Sequence, residues 1–411
     1  MHYGHMIRRD IYLAVWRELA TAKSMVFLTG PRQTGKTTLA EAIGQDFANR
    51  VYFNWDFPGS KVLLTEQPTF FEQVKRADSS IPLVVFDEIH KYKDWKNYLK
   101  GLYDKFHRDY RFLVSGSGRL DIYQRGGDSL AGRYDLFHLW PFTLAELGGN
   151  RRTLDAFLKD PLETSTDREK ENRQIWDRLG ALSGFPEPYL SGKAAAWRRW
   201  SNGYTRQLIR EDIRDLAGLQ AVETMETLYA LLPGRVGSLL SLNTLAMDLR
   251  VSYNTVKSWL DTFERFFLIF RIEPWTHQIR RGIQKEKKLY LFNHPLIADS
   301  CARFENAVAL ELFRAVSNWN DLGLGPFSLH YVRNKEKQEV DFLLARGRTP
   351  VLLVEAKLAD EHPSAALMKF QQVLAVPAVQ VTAQSGGYQI IQNGAHKILV
   401  TPVWQWAATL P

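Results

Sequence analysis

The chain has 411 residues, which at roughly 100 to 200 residues per domain implies two to four domains. Hydrophobic residues make up 45%, charged residues 24% and aromatics 12%, a globular composition that excludes a disordered or fibrous chain. The single cysteine, Cys301, excludes an internal disulfide and a cysteine-based zinc site, and the net charge of +8 permits an anionic partner without identifying one. No run approaches the roughly 18 apolar residues of a membrane-spanning helix, and the start Met1-His2-Tyr3-Gly4-His5 lacks a signal pattern, so a cytoplasmic protein with no membrane partner is expected.

Ser24 to Thr29 is a short apolar run that predicts a buried parallel strand, and it leads into Gly30-Pro31-Arg32-Gln33-Thr34-Gly35-Lys36-Thr37-Thr38. This is a complete G-x-x-x-x-G-K-[ST] loop. Its glycines let backbone N–H groups curl around phosphate oxygens, a helix expected over Thr38 to Asp46 points its positive end at them, and Lys36 can reach the β- and γ-phosphates. Thr37 is the expected Mg²⁺ ligand, so ATP and Mg are the expected cofactors. Val51 to Trp55 predicts the next strand. Ile81 to Phe86 predicts another, ending in the acid pair Asp87-Glu88, where Asp87 can hold the magnesium shell and Glu88 can orient or deprotonate the attacking water. Phe112 to Val114 predicts a third strand after the loop. It runs into Ser115-Gly116-Ser117-Gly118, whose hydroxyls, Ser117 in particular, can sense the γ-phosphate.

This order of strands resembles the AAA+ superfamily of P-loop ATPases. The segment from Ala131-Gly132-Arg133 through Pro141-Phe142-Thr143-Leu144-Ala145-Glu146, with Gly184-Phe185-Pro186-Glu187 and Tyr204 through Asp212-Ile213, is similar to the archaeal-type AAA+ ATPases of bacteria and archaea. The resemblance implies a homo-oligomer in which an arginine from a neighbour reaches the γ-phosphate. Arg133 is the first candidate and Arg119 the second, against the plain alternative of a surface arginine.

Arg151 to Arg173 is polar and reads as an exposed loop or linker. Ile175 to Asp215 returns to helical character and carries Arg198, Arg199, Arg206, Arg210 and Arg214 among aromatics. Such a stretch follows a phosphate backbone or forms the charged face of a lid. Over 221–275 the spacing predicts a helix Ala221 to Leu232, a helix Leu242 to Leu249, a tight turn and a helix from Ser252. Phe267 to Trp275 then predicts the first strand of a wing. Ser252, Tyr253, Asn254, Thr255, Lys257 and Ser258 would meet base edges, although the segment sums to −1 and winged helices also dock proteins. The adjacent Arg280, Arg281, Lys285, Lys287 and Lys288 would strengthen phosphate binding as a wing tip.

Glu339 to Ala345 and Val351 to Lys357 predict a hairpin about residue 348, which sets Asp341 opposite Glu355, with Lys357 on the same face as Glu355. Two opposed carboxylates can share one divalent cation, with Lys357 stabilising a pentacoordinate phosphate or an activated water. The plainer alternative is that Glu339 opposes Lys357 in a surface ion pair. Asp followed by Glu-x-Lys on the next strand resembles the restriction-endonuclease-like core, and the Arg303-Phe304-Glu305-Asn306 segment resembles its helical acid, which implies Glu305 as a further ligand.

The expected fold class is α/β: a P-loop AAA+-like parallel sheet (1–150) with a helical lid and linker (151–220), then a winged helix (221–275, its wing reaching to 292) and a restriction-endonuclease-like α/β domain (276–411). The expected function is a Mg-dependent ATPase that binds and remodels or processes DNA. The alternative is a nucleotide-dependent switch whose C-terminal half docks protein partners on an inactive nuclease-like fold.

Overall fold

The computed structural model describes residues 7–116, 130–149, 152–213, 222–276, 286–360, 362–384 and 388–411. The chain divides into two compact units, one running to Trp140 and taking in Arg265–Phe267, the other holding Pro141–Glu264 and Leu268–Pro411.

The first unit is a five-stranded sheet of β1 (Met25–Thr29), β2 (Arg50–Asn54), β3 (Leu83–Asp87), β4 (Arg111–Ser115) and β5 (Asp135–His138). Its order is β2-β3-β4-β1-β5, every pair parallel. Strands buried on both faces need unbroken apolar runs, and MVFLT in β1 and LVVFD in β3 are buried throughout. Helices α1 (Asp10–Ala22), α2 (Lys36–Gly44), α3 (Pro58–Glu66) and α4 (Trp95–Phe106) belong to this unit. On α4 the buried Trp95, Leu99, Leu102 and Phe106 recur at helical spacing, one apolar stripe for the sheet. Phe267 stands edge-on to Trp140, centroids 5.3 Å apart. Register sets Leu28, Ser115, Asp87 and Asn54 side by side across the carboxyl ends of β1, β4, β3 and β2, the edge where parallel sheets bind ligands.

The second unit opens with α5 (Leu144–Leu147), α6 (Leu154–Lys159), α7 (Glu169–Leu182), α8 (Pro186–Ser191) and α9 (Ala194–Gln207). The stretch expected as a loose linker is packed. Trp406 Nε1 donates to Pro161 O at 2.9 Å, Gln405 Nε2 to Glu169 Oε1 at 2.9 Å, and Ser165 N to Gln405 O at 2.9 Å. These partners lie some 240 residues downstream, so no local pattern could announce them. Then come α10 (Val222–Leu231), α11 (Leu242–Leu249) and α12 (Tyr253–Arg265). Arg250, at φ 55°, turns the chain between the last two, and the Ser252 hydroxyl accepts from Thr255 N at 3.1 Å to start α12. Val256, Trp259, Leu260 and Phe263 are its buried face.

Strands β6 (Ile269–Pro274) and β7 (Lys288–Leu291) form an antiparallel pair, followed by α13 (Ser300–Asp321), β8 (Phe327–Arg333), β9 (Glu339–Arg346), β10 (Thr349–Lys357), α14 (Ala365–Leu374), β11 (Ala378–Thr382), β12 (Gln389–Asn393), β13 (His396–Pro402) and α15 (Val403–Trp406). Their eight strands are ordered β12-β13-β11-β10-β9-β8-β6-β7. The strand expected to begin a wing lies at the edge of this larger sheet, where Glu273 and Pro274 of β6 pair in parallel with His330 and Tyr331 of β8.

Candidate nucleotide site and C-terminal acid cluster

Gly30 leaves β1 at φ 135°, and a Cβ there would lie 2.4 Å from Leu139 O, so a larger residue is excluded twice over. Gln33 at φ 62° and Gly35 at φ 92° bend the loop back so that α2 starts at Lys36 with its N–H groups facing the loop. Lys36 Nζ donates to the carbonyls of Pro31 at 2.7 Å and Gly30 at 3.2 Å, and Thr34 Oγ1 to Pro31 O at 2.9 Å. Arg32 is half-buried in the loop, while Thr37 and Thr38 are exposed in the first turn of α2. Arg9, just before α1 and 7% exposed, donates to Thr34 O at 3.2 Å and Trp140 O at 2.7 Å. It braces the loop from 25 residues away, and nothing in its spacing marked it.

Three hydroxyls converge on Asp87. Thr37 Oγ1 lies 2.9 Å and the Tyr52 phenol 2.6 Å from Oδ2, and Ser115 donates to Oδ1. The Thr37–Asp87 pair, one in the first turn of α2 and one at the end of β3, fits the hydroxyl and carboxylate that hold the magnesium shell of a bound nucleoside triphosphate. Burial, with Asp87 alongside, pushes the Tyr52 phenol far above its usual range, so it remains a donor. Glu88 sits at φ 59°, a conformation that costs a non-glycine residue energy, and its N–H bonds Ser115 O at 2.9 Å. Its carboxylate meets Lys91 Nζ at 3.1 Å, and the same ammonium reaches Asp56 at 2.7 Å. Burial raises the Glu88 pKa, against the pull of Lys91 and Lys36, which makes its carboxylate a stronger proton acceptor than an exposed one. Tyr52 and Lys91 escaped the sequence reading because strand register and a short turn, not spacing, bring them here.

Ser117 and Arg119 lie outside the described residues. Arg133 is held by Asp104, Nε to Oδ1 at 2.7 Å and Nη2 to Oδ2 at 3.2 Å.

In the C-terminal sheet the β9–β10 register shifts once near the turn and then runs Leu353 to Leu343 and Val354 to Phe342, which puts Asp341 next in line to Glu355 as the hairpin symmetry requires. The acids are nonetheless occupied. Asp341 Oδ2 accepts from Ala356 N at 3.0 Å, and Glu355 accepts from Ser364 Oγ at 2.8 Å and faces Lys357 Nζ at 3.3 Å. Glu305 Oε1 accepts from Tyr290 OH at 2.7 Å and from Lys288 Nζ at 3.2 Å. Glu339 pairs with Lys288 at 2.6 Å and Arg333 at 2.9 Å, not with Lys357 as the plainer alternative had it. Among the described residues no three His, Cys, Asp or Glu side chains are grouped to hold a metal ion.

The basic run after β6 needs the same correction. Arg280, Arg281 and Lys285 lie outside the described residues, Lys287 pairs with Glu273 at 2.7 Å, and Lys288 is 1% exposed and cannot touch a phosphate. Arg210 is paired with Glu226 at 2.6 Å, Arg214 lies outside the described residues, and Arg198, Arg199 and Arg206 are exposed. Ser252, Tyr253, Asn254, Lys257 and Ser258 are exposed on α12 and Thr255 is half-buried. No helix among the described residues is long and apolar enough to cross a membrane.

Two family models match the chain: an AAA domain at residues 22–148, and a domain of unknown function, DUF8612, at residues 173–303. The uncharacterized proteins Rv2008c of Mycobacterium tuberculosis and Mb2031c of Mycobacterium bovis are each 25% identical over 351 residues, 84% of this chain and 72% of theirs. Among solved structures, the Walker-type ATPase PABY2304 of Pyrococcus abyssi aligns over 74% of this chain and 96% of its own at 14% identity and a TM-score of 0.45. Drosophila ORC bound to DNA aligns over 65% and 86% at 14% identity and a TM-score of 0.25. The AAA match spans the loop, the acid pair and all five strands, so residues 22–148 of the first unit are similar to an AAA domain with a complete P-loop.

Proposed function

We propose that the protein is a Mg²⁺-dependent ATPase that works as a homo-oligomer and acts on DNA held by its C-terminal half. The carrying observation is the Thr37–Asp87 contact of 2.9 Å with Glu88 one residue beyond, which joins a magnesium site to a base on adjacent elements. In this reading residues 30–38 cradle the triphosphate, Glu88 activates water, Ser117 senses the γ-phosphate, and Arg133 serves a neighbouring subunit. Residues 221–275 act as a winged helix, supported by the short turn at Arg250 and the exposed polar start of α12. The α13, β8-β9-β10, α14, β11 succession supports a restriction-endonuclease-like reading of 276–411.

A second reading, a nucleotide switch that docks protein, is favoured by two features: the 221–275 segment sums to −1, and two lysines expected at the wing tip are paired or buried. ATP turnover measured with and without single-stranded, duplex and branched DNA separates the two. Stimulation that weakens with salt supports the first, because phosphate contacts release counterions. Absence of both DNA binding and stimulation would leave the docking switch.

A further inference from the structure

Lys288 begins a strand of the C-terminal sheet, yet its ammonium, 1% exposed, stands among three carboxylates: Glu339 at 2.6 Å, Glu305 at 3.2 Å and Asp341 at 3.6 Å. Two of these, with Glu355, are the ligands that a restriction-endonuclease-like core would offer to a divalent cation. Each of these acids also has a further partner. Tyr290 OH bonds Glu305, Arg333 bonds Glu339, the Ala356 N–H bonds Asp341, and Ser364 and Lys357 take Glu355.

The placement is built, not incidental. Lys288 and Tyr290 share a face of β7 by the two-residue period, and β7 is fixed to α13 by Asn306, whose side chain accepts from Leu291 N at 2.7 Å and donates to Leu291 O at 2.9 Å. The neighbouring residue on α13, Glu305, is thereby presented to Lys288. Gly237, at φ 74°, packs over Glu305, and a Cβ there would lie 3.0 Å from Oε2. An ammonium carries one charge and three N–H donors, so it neutralises and orients carboxylates but supplies neither a Lewis acid nor a bound hydroxide.

We propose that Lys288 is a fixed internal cation that takes the place of the divalent metal in the C-terminal domain, so that this domain holds its ligand without cutting phosphodiesters. The inference rests on the restriction-endonuclease-like reading of 276–411 and is independent of whether DNA stimulates the ATPase.

The test is Mn²⁺ binding to the full-length, nucleotide-free protein, read by loss of the free-ion paramagnetic resonance signal. Wild type and Asp341→Asn should bind the same amount with the same affinity. Binding that drops in Asp341→Asn, or DNA cleavage by wild type that Asp341→Asn abolishes, would overturn the proposal. Lys288→Met leaves the carboxylates without their cation, so it should melt lower than wild type and recover much of that loss in millimolar Mn²⁺. Lys288→Arg should stay near wild type and gain no Mn²⁺ response. A Lys288→Met protein that melts like wild type would also overturn the proposal. Should that variant fail to fold, the comparison of wild type with Asp341→Asn decides by itself.

Discussion

At Asp87 three hydroxyls from three elements meet one carboxylate, so the residue proposed to order the magnesium shell is already held by its own chain. Lys36 and Glu88 are proposed to have different tasks beside it, and their variants should separate. Lys36→Ala removes the ammonium proposed to meet the β- and γ-phosphates and should abolish nucleotide binding. Glu88→Gln keeps the cradle and should retain ATP binding while turnover falls on the order of 10²-fold or more. Equal turnover in wild type and Glu88→Gln, with binding followed by a fluorescent ATP analogue, would remove Glu88 from the chemistry.

Glu311 offers a second residue-scale test. It accepts from Leu144 N at 2.8 Å at the start of α5, and burial, opposed by Arg314, raises its pKa to about 7. Between the ordinary carboxylate value and about pH 7 the folded state holds a proton that the unfolded chain has released. Stability contributed by that proton is therefore lost as pH rises through the window, by at most about 3 kcal/mol. Glu311→Gln keeps an acceptor for Leu144 without a titrating group. From about pH 5 to pH 8 the melting temperature of wild type should fall relative to that of Glu311→Gln. Parallel curves would show that Glu311 stays ionised throughout.

On the scale of elements, α15 is the clearest case of a segment whose role lies far from its sequence neighbours. Trp404 and Trp406 are among the largest fully buried side chains, and the Trp406 and Gln405 side chains bond Pro161 and Glu169. Trp406→Ala should cost about 3 to 5 kcal/mol through the cavity it leaves and the unmet carbonyl of Pro161. Thermal unfolding followed by tryptophan fluorescence would register this. A shift no larger than that of a surface substitution would mean that the C-terminal helix is not part of the core. The β6–β7 pair teaches the converse: alternation of apolar and charged residues identified the strand but not its partner β8.

At the scale of the whole molecule the proposal is a homo-oligomer. Arg133 is the proposed residue acting in a neighbour, yet it forms a two-pronged pair with Asp104 of its own chain. If it serves a neighbouring site, Arg133→Ala should lower ATP turnover more than nucleotide affinity, and Asp104→Ala, which frees the guanidinium, should leave turnover intact or raise it. If the pair only braces α4, both substitutions should lower stability alike and spare turnover per folded molecule. Light scattering beside the kinetics checks the premise, because a fully active monomer excludes an arginine supplied in trans.

The P-loop, the acid pair and their sheet were legible in the sequence because their determinants are local. A glycine turn, a lysine one helix start later and an acid pair ending an apolar strand must each appear in contiguous residues, and strands buried on both faces leave unbroken apolar runs. The paired strands of the C-terminal hairpin and the helix boundaries at Leu242–Leu249 were legible for the same reason. Tertiary structure alone decided where charge is neutralised. Arg9 on the phosphate loop, Tyr52 on Asp87 and Lys288 among three carboxylates are contacts between distant segments, and a buried ion pair leaves no periodicity to read. One lysine, counted from the sequence with a basic run, became the buried cation among three half-buried acids because strand pairing carried it inward.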